Sequence, residues 1–159
     1  QAPGNNCNNM FNEMKFTAIL NKCKFGNPSI FPAWKVLRMA TIEAARAIGL
    51  GEETGSIEVG KKADIIMVDF TQPCLAPIIH YPVRNIVPNL VYSAKGSEAE
   101  MVLVDGKVLI DGFKVVSVDE GKVVRDAQEA AFRVAKAAEG PFSRIPDTPL
   151  REMMENGEL

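Results

Sequence analysis

Apolar side chains recur at helical spacing in the first part of the chain, between polar segments rich in Asn, Gly and Pro. Their three- to four-residue spacing predicts a helix over about residues 9–24. Asn9 is suited to cap its first turn and Gly26 to end it, because Asn accepts from free N–H groups and Gly adopts a positive φ. The apolar positions are Met10, Phe11, Met14, Ala18 and Ile19.

Two shorter helices are predicted after the break at Asn27-Pro28. Pro32 is tolerated in the first turn of a helix and opens one over about residues 32–40. Thr41 is a candidate cap for a third helix over about residues 42–48, which is rich in alanine and other helix formers.

The pattern then changes from helical to β. Gly55 and Gly60 bracket a turn that runs into Ile65–Val68, a short continuous apolar run that is typical of a strand covered on both sides. The four prolines between residues 70 and 88 predict an extended connection. This connection is long for a small domain, which indicates that it crosses a surface supplied by something else.

A small β-meander and a late helix complete the prediction. The Asp105-Gly106 pair is a strong hairpin signal between two alternating segments. A helix over residues 125–139 is predicted from its Ala-rich apolar face, with Gly140-Pro141 at its end and a short helix at 150–155. The fold class is mixed α+β. The predicted strands are Leu90–Ala94, Glu100–Val104, Lys107–Ile110 and Phe113–Val118.

Composition removes several classes of partner. The net charge is −2, the pI is near 5.5, and the longest basic cluster is Lys61-Lys62, so neither nucleic acid nor an anionic membrane is an expected partner. Three cysteines without a C-x-x-C pattern and the absence of a long apolar run predict a cytoplasmic protein.

Few residues have the chemistry of an active site. His80 is the only histidine, so a metal site built from several histidines is not available, and a structural role is favoured over an active-site role. Cys7 lacks a cationic partner or a second histidine that would activate it as a nucleophile. Turn chemistry accounts for the aspartates Asp64, Asp69, Asp105 and Asp111. No catalytic residue and no metal ligand is therefore predicted in this chain.

Several segments, in their order, resemble the metal-dependent amidohydrolase superfamily. The run from Gly55 to Ile66 (GSIEVGKKADII) looks like the signature that follows the barrel in that superfamily. Further segments narrow the resemblance to the branch of methylthioadenosine/S-adenosylhomocysteine deaminases, guanine and cytosine deaminases and atrazine chlorohydrolase-like triazine hydrolases. These are Met10–Lys15, Leu37–Thr41 with Ala44–Leu50, Leu90–Ala94 and Val102–Val108.

The resemblance covers about residues 4–118 and implies a carboxy-terminal fragment. In that family a (β/α)8 barrel binds zinc or iron through histidines and an aspartate, and Gly4-Asn5-Asn6 matches the end of the segment that carries this aspartate. The aspartate would precede Gln1, so no metal ligand falls in this chain and zinc or iron is expected in the full-length parent. Asn5 and Asn6 are implied at the edge of the substrate pocket.

The implied fold is the last helices of a truncated barrel over residues 1–50, a β-sandwich-type composite domain over 51–122, and a helix with a tail over 123–159.

The implied parent hydrolyses a C–N or related bond of a nitrogen heterocycle: a metal lowers the pKa of bound water, and the resulting hydroxide attacks a ring carbon. The isolated chain is expected to be inactive, so whether it is itself an enzyme stays open. The expected partners are the missing N-terminal barrel region and a second copy of the chain. A non-enzymatic assembly module and a subunit that complements a barrel in trans are the alternatives.

Overall fold

The computed structural model describes residues 8–142 and 149–158, and the chain clusters into two units, residues 1–117 and 118–159. The first unit mixes short helices with a small antiparallel sheet, and the second is helical. The elements are α1 (Met10–Phe25), α2 (Ala33–Met39), α3 (Ile42–Ala47), β1 (Ile65–Val68), α4 (Ile86–Tyr92), β2 (Ala99–Val104), β3 (Lys107–Asp111), β4 (Lys114–Val115), α5 (Glu120–Phe142) and α6 (Pro149–Glu155).

The first helix begins and ends where the sequence predicts. The Asn9 side chain accepts from the N–H groups of Phe11 (2.9 Å) and Asn12 (3.3 Å), as is typical of an N-cap residue at the first turn of a helix. Gly26 follows α1 with φ of 58°, the left-handed conformation that closes a helix. The predicted cap and stop are both confirmed.

A compact helical core forms where α1 and α2 pack on α4. Its buried side chains come from all three helices: Met14, Ala18, Ala33, Val36 and Val91. Val36 and Val91 are 1% and 0% exposed, so the centre of this core excludes water. The first helices therefore find their main partner in a fourth helix that the sequence analysis did not predict.

The predicted strand Leu90–Ala94 is wrong, because this segment belongs to α4 and its end. Val87 and Val91 are four residues apart and both face the helical core. Pro88 lies in the first turn, where its missing N–H costs no hydrogen bond. Burial of Val91 against α1 and α2 outweighs the β-propensity of the Leu-Val-Tyr run.

Thr41 precedes α3 as predicted, but its side chain does not cap that helix. The Thr41 hydroxyl instead donates to the carbonyl of Leu37 (2.8 Å), one turn earlier in the chain. The hydroxyl thus donates to a carbonyl group near the end of α2 and accepts no hydrogen bond from the N–H groups at the start of α3.

The sheet is a single antiparallel meander in the order β1-β2-β3-β4. Asp105 and Gly106, with φ of 50° and 74°, form the predicted hairpin between β2 and β3. β1 is an edge strand, and Ile66 and Met67 are 54% and 50% exposed, so the expectation of a strand covered on both sides is wrong for this chain. The strand predicted over residues 113–118 shortens to Lys114–Val115.

The second unit consists mainly of α5, which is longer than predicted at both ends. Asp119 accepts from the N–H of Lys122 (2.8 Å), so the helix begins at Glu120 rather than near residue 125. It continues through Gly140 and Pro141 to Phe142, so that pair does not end it as predicted. The predicted domain boundaries near residues 50 and 122 stay predictions.

Candidate functional site

The glycine-bracketed segment Gly51–Asp64 is an ordered turn built around one lysine. Lys61 Nζ donates to the carbonyl of Gly51 (2.6 Å) and to the Ser56 hydroxyl (2.8 Å), and its side chain is only 10% exposed. Glu58 lies 3.4 Å from the same ammonium group and supplies the opposite charge. Lys61 therefore fixes the conformation of the turn.

Gly55 is required where this turn meets α3. Its φ is 90°, and an added Cβ would lie 2.7 Å from the Cβ of Ala45 and 2.9 Å from the Cα of Ile42. Gly60 has a similar φ of 93° but has open space around it. Both positions favour glycine for backbone reasons, but only at Gly55 does a neighbouring helix also exclude a side chain.

Asp64 joins the turn to the β2–β3 hairpin. Its carboxylate accepts from the N–H of Asp105 (2.7 Å) and from the Thr54 hydroxyl (2.8 Å). These two hydrogen bonds, with that of the Asp105 N–H the larger effect, lower the pKa of Asp64. The turn chemistry predicted for this aspartate thus extends across the unit to a residue 41 positions away.

The strongest electrostatic feature of the first unit is Glu98, which is 3% exposed. Its carboxylate accepts from the N–H groups of Lys95 and Gly96, both at 2.9 Å, from the Cys74 thiol at 3.1 Å and from the Ser97 hydroxyl at 3.2 Å. Burial by itself raises the pKa of Glu98, but the hydrogen bonds from Lys95, Cys74 and Gly96 outweigh it and lower the pKa to about 2. Glu98 is therefore an ionised, fully hydrogen-bonded buried carboxylate.

Residues 95–98, which we call the Glu98 loop, also contact the start of α1. The Asn9 side-chain amide donates to the carbonyl of Lys95, and an added Cβ at Gly96 would lie 3.4 Å from Cδ2 of Phe11. Asn9 thus both caps α1 and anchors it to this loop. The loop therefore supports the start of α1.

The connection after β1 is held in place by buried contacts. Leu75 is fully buried, and its carbonyl accepts from the side chain of Asn89 in α4 (2.7 Å). Asn85 donates to the carbonyl of Pro77 (2.9 Å) and accepts from the N–H of Ile79 (2.7 Å). The predicted extended connection is therefore a series of turns fixed to α4.

Cys74 lies in this connection and contacts Glu98. The hydrogen bond to the Glu98 carboxylate, followed by burial, raises the pKa of the Cys74 thiol. A thiol with a raised pKa is a poor nucleophile, because the thiolate is the reactive form. In this structure Cys74 serves as a hydrogen-bond donor to Glu98.

The described residues do not assemble a catalytic centre. His80 is exposed in the connection, and no three His, Cys, Asp or Glu side chains within residues 8–142 and 149–158 lie close enough together to bind a metal ion. Asn5, Asn6 and Cys7 lie outside the described residues. Glu98 was missed by the sequence analysis, since nothing in the Gly96-Ser97-Glu98 sequence distinguishes a buried acid from a surface turn.

No helix in the described part of the chain has the length and apolarity needed to cross a membrane.

The family described as "Amidohydrolase family" matches residues 1–109. This chain belongs to the amidohydrolase family. A 5'-deoxyadenosine deaminase of Methanosarcina acetivorans is 47% identical over 134 residues, which are 84% of this chain and 29% of that protein. A 5-methylthioadenosine/S-adenosylhomocysteine deaminase of Desulforudis audaxviator is 40% identical over 136 residues, which are 86% of this chain and 30% of that protein. These relatives confirm the branch to which the sequence motifs point.

Solved structures give the same fold. A zinc-bound adenosine deaminase of Xanthomonas campestris superposes with a TM-score of 0.74 at 31% identity, over 80% of this chain and 28% of that one. A zinc-bound atrazine chlorohydrolase of Arthrobacter aurescens superposes with a TM-score of 0.63 at 22% identity, over 75% of this chain and 25% of that one. The chain thus spans less than a third of the length of the proteins it matches.

Proposed function

We propose that this chain is the C-terminal part of a metal-dependent amidohydrolase that deaminates the heterocycle of an adenosine derivative. The main support for this proposal is the 47% sequence identity to a 5'-deoxyadenosine deaminase. The 40% identity to a 5-methylthioadenosine/S-adenosylhomocysteine deaminase supports the same class of substrate. The chain by itself is proposed to be inactive, because its relatives are about three times as long and its described residues contain no metal-binding cluster.

The metal of the parent, zinc or iron, is proposed to bind upstream of this chain. The acids described here do not suit it, because Glu98 and Asp64 are engaged by backbone and hydroxyl donors. Asn5 and Asn6 remain the proposed contribution of this chain to the edge of the substrate pocket. The role of the described residues is then to hold the end of the barrel and the segment leading into α1.

The two-sided apolar character of α1 supports an upstream partner. Met14 and Ala18 pack into the helical core, whereas Phe16, Ile19 and Leu20 lie on the opposite side and are 55%, 38% and 61% exposed. A helix that is apolar on both sides is typically enclosed in a larger protein. We propose that the upstream barrel region covers this second side.

The exposed edge of the sheet supports the same partner. β1 pairs only with β2 in the described sheet, and its exposed Ile66 and Met67 point to opposite faces because neighbouring strand residues alternate. An edge strand with apolar residues on both faces is suited to accept a further strand. We propose that a strand from the missing N-terminal region lies there and completes a sandwich.

A segment exchange tests this function. The matched segment of the Methanosarcina acetivorans deaminase is replaced by this chain, and release of ammonia from 5'-deoxyadenosine is measured with zinc present. We expect the chimera to release ammonia, because this chain supplies the same C-terminal structure. We expect no release from this chain alone.

Two controls make the result decisive. The Methanosarcina protein without its matched segment should be inactive, and the intact Methanosarcina protein sets the reference rate. A folded, zinc-loaded chimera that releases no ammonia would contradict the proposed function. Ammonia release by the isolated chain would contradict its dependence on an upstream region.

The alternatives are a non-enzymatic assembly module and a subunit that acts in trans. The exposed side of α1 suits a separately made barrel as well as a covalently joined one, so mixing the two polypeptides distinguishes them. A gain of activity on mixing favours the trans subunit, whereas an upstream coding segment with a His-x-His pair rules against the assembly module. We also propose that the chain self-associates.

A further inference from the structure

The first unit contains two packed parts, the helical core and the sheet. Among the described elements, α1, α2, α3 and α4 pack mainly on one another, and each strand packs mainly on its neighbours in the sheet. The buried side chains of the helical core come from α1, α2 and α4. The orientation of the helices relative to the sheet is therefore set largely by the segments that connect them.

The Glu98 loop is the segment at which two helices and two strands meet. It lies between the end of α4 and the start of β2. The N–H of Asp69, directly after β1, donates to the Glu98 carbonyl (2.8 Å). The Asn9 side chain, at the start of α1, donates to the Lys95 carbonyl. One short loop thus joins elements of the helical core to elements of the sheet.

The Glu98 carboxylate holds this junction in one conformation. Its Oε2 accepts from the N–H groups of Lys95 and Gly96, and its Oε1 accepts from the Cys74 thiol and the Ser97 hydroxyl. A buried anion that loses some of its donors is left poorly satisfied, which costs more than the loss of a neutral hydrogen bond. These hydrogen bonds are therefore expected to break together rather than one at a time.

A second connection joins the two parts at the other end of β2. Gly55 packs against α3, and Asp64 accepts from the N–H of Asp105 in the β2–β3 hairpin. Asp105 follows the last residue of β2, whereas Glu98 precedes the first, so about 20 Å of strand separates the two connections. The turn Gly51–Asp64 can thus keep the two parts attached while the Glu98 loop opens.

We propose that the Glu98 loop is a latch between the helical core and the sheet, which opens as one unit and releases Asn9 and Asp69 together while both parts stay folded. The turn Gly51–Asp64 is the hinge of this motion. The inference does not rest on the proposed deaminase activity. It requires that residues far apart in the sequence share one opening equilibrium.

Hydrogen exchange measured by NMR on the full 159-residue chain at pH 6 tests the latch. The reporters are the side-chain amide of Asn9 and the backbone amides of Asp69 and Gly96, whose protons all form hydrogen bonds at the junction. In the wild type we expect the three reporters to share one protection factor, lower than that of the Ala18 amide in the helical core. This comparison needs no variant.

Two substitutions then weaken the latch to different degrees. Glu98→Gln replaces the charged acceptor by a neutral one, and we expect exchange at all three reporters to accelerate by a common factor of about ten or more. Cys74→Ala removes one donor to Glu98 and is the milder change. It should accelerate the same reporters by a common factor of about three to ten.

Two matched controls separate the latch from general loss of stability. Val36→Ala weakens the helical core at a position that is 1% exposed, and it should change exchange at the three reporters by less than about twofold. Asp64→Asn weakens a carboxylate acceptor in the hinge. It should accelerate exchange of the Asp105 amide and leave the three reporters unchanged. Circular dichroism checks that the variants stay folded.

Three results would overturn the proposal. Unequal protection of the three reporters in the wild type would show that they do not open together. Acceleration confined to Gly96 in Glu98→Gln would show that Glu98 supports its own loop and no other segment. Equal acceleration by Val36→Ala and Glu98→Gln would show that the junction opens when the helical core unfolds, and not before.

Discussion

Replacement of Glu98 by Gln tests the buried carboxylate as a support of the first unit. The pKa of Glu98 is lowered from 4.5 to about 2 in the folded chain. A difference of about 2.5 pKa units corresponds to about 3 kcal/mol of stabilisation by the ionised form. Because the folded pKa is the lower one, this stabilisation is complete above the unfolded pKa of 4.5 and is lost as the pH falls towards 2.

The prediction concerns the difference between the wild type and Glu98→Gln. At pH 7 we expect the variant to be destabilised by about 2–3 kcal/mol, because a neutral amide accepts more weakly than a carboxylate from the Lys95 and Gly96 N–H groups. From about pH 6 to about pH 3 the wild type should lose about 2 kcal/mol more than the variant, since the variant has no proton to bind at this position.

Urea denaturation measures both quantities. Trp34, the only tryptophan, lies in the first unit, so its fluorescence follows unfolding of that unit. Glu100→Gln is the matched control, because Glu100 is an exposed carboxylate two positions along the chain. Equal losses of stability on acidification in the wild type and in Glu98→Gln would refute the assignment of this pH dependence to Glu98.

Three further experiments test packing, backbone conformation and thiol chemistry. Val91→Ala, at a fully buried position, should lower the free energy of unfolding by about 2 kcal/mol in urea titrations; no measurable loss would show that the helical core is misplaced. Gly55→Ala should cost about 3 kcal/mol and Gly60→Ala about 1 kcal/mol, because both have positive φ but only Gly55 faces a helix; equal thermal stabilities would contradict this contrast. Cys74 should react with iodoacetamide more slowly than the exposed Cys23, since its thiol pKa is raised; equal alkylation rates by mass spectrometry would contradict it.

Several features were predictable from the sequence because neighbouring residues decide them. The Asn9 cap, the Gly26 stop and the Asp105-Gly106 hairpin each depend on the conformational preference of one or two residues and on hydrogen bonds close along the chain. The family was also identifiable from ordered motifs, with the Gly55–Ile66 run foremost. Such local signals do not require knowledge of what lies opposite each residue.

The extent of α5 was locally encoded but underestimated. Asp119 is a good N-cap, and its bond to the Lys122 N–H starts the helix five residues earlier than the predicted Arg125. At the other end, Gly140 and Pro141 fall in the last turn, where a missing N–H and a flexible residue cost less than in the middle of a helix. Breaker residues therefore mark the neighbourhood of a helix end rather than its last residue.

The tertiary structure decided which residues are buried, and this in turn decided the rest. Val91 and its neighbours have the composition of a strand, but contacts with α1 and α2 make them a helix. Glu98 has the sequence context of a turn, but donors from Lys95 and from Cys74, 24 residues away, make it a buried anion with a strongly lowered pKa. Sequence alone determined the Asp105-Gly106 hairpin, the Asn9 cap, the Gly26 stop and the family. Burial and long-range hydrogen bonds arise only when distant segments meet, so only the folded chain fixed α4, the environment of Glu98 and the exposed faces of α1, β1 and α5.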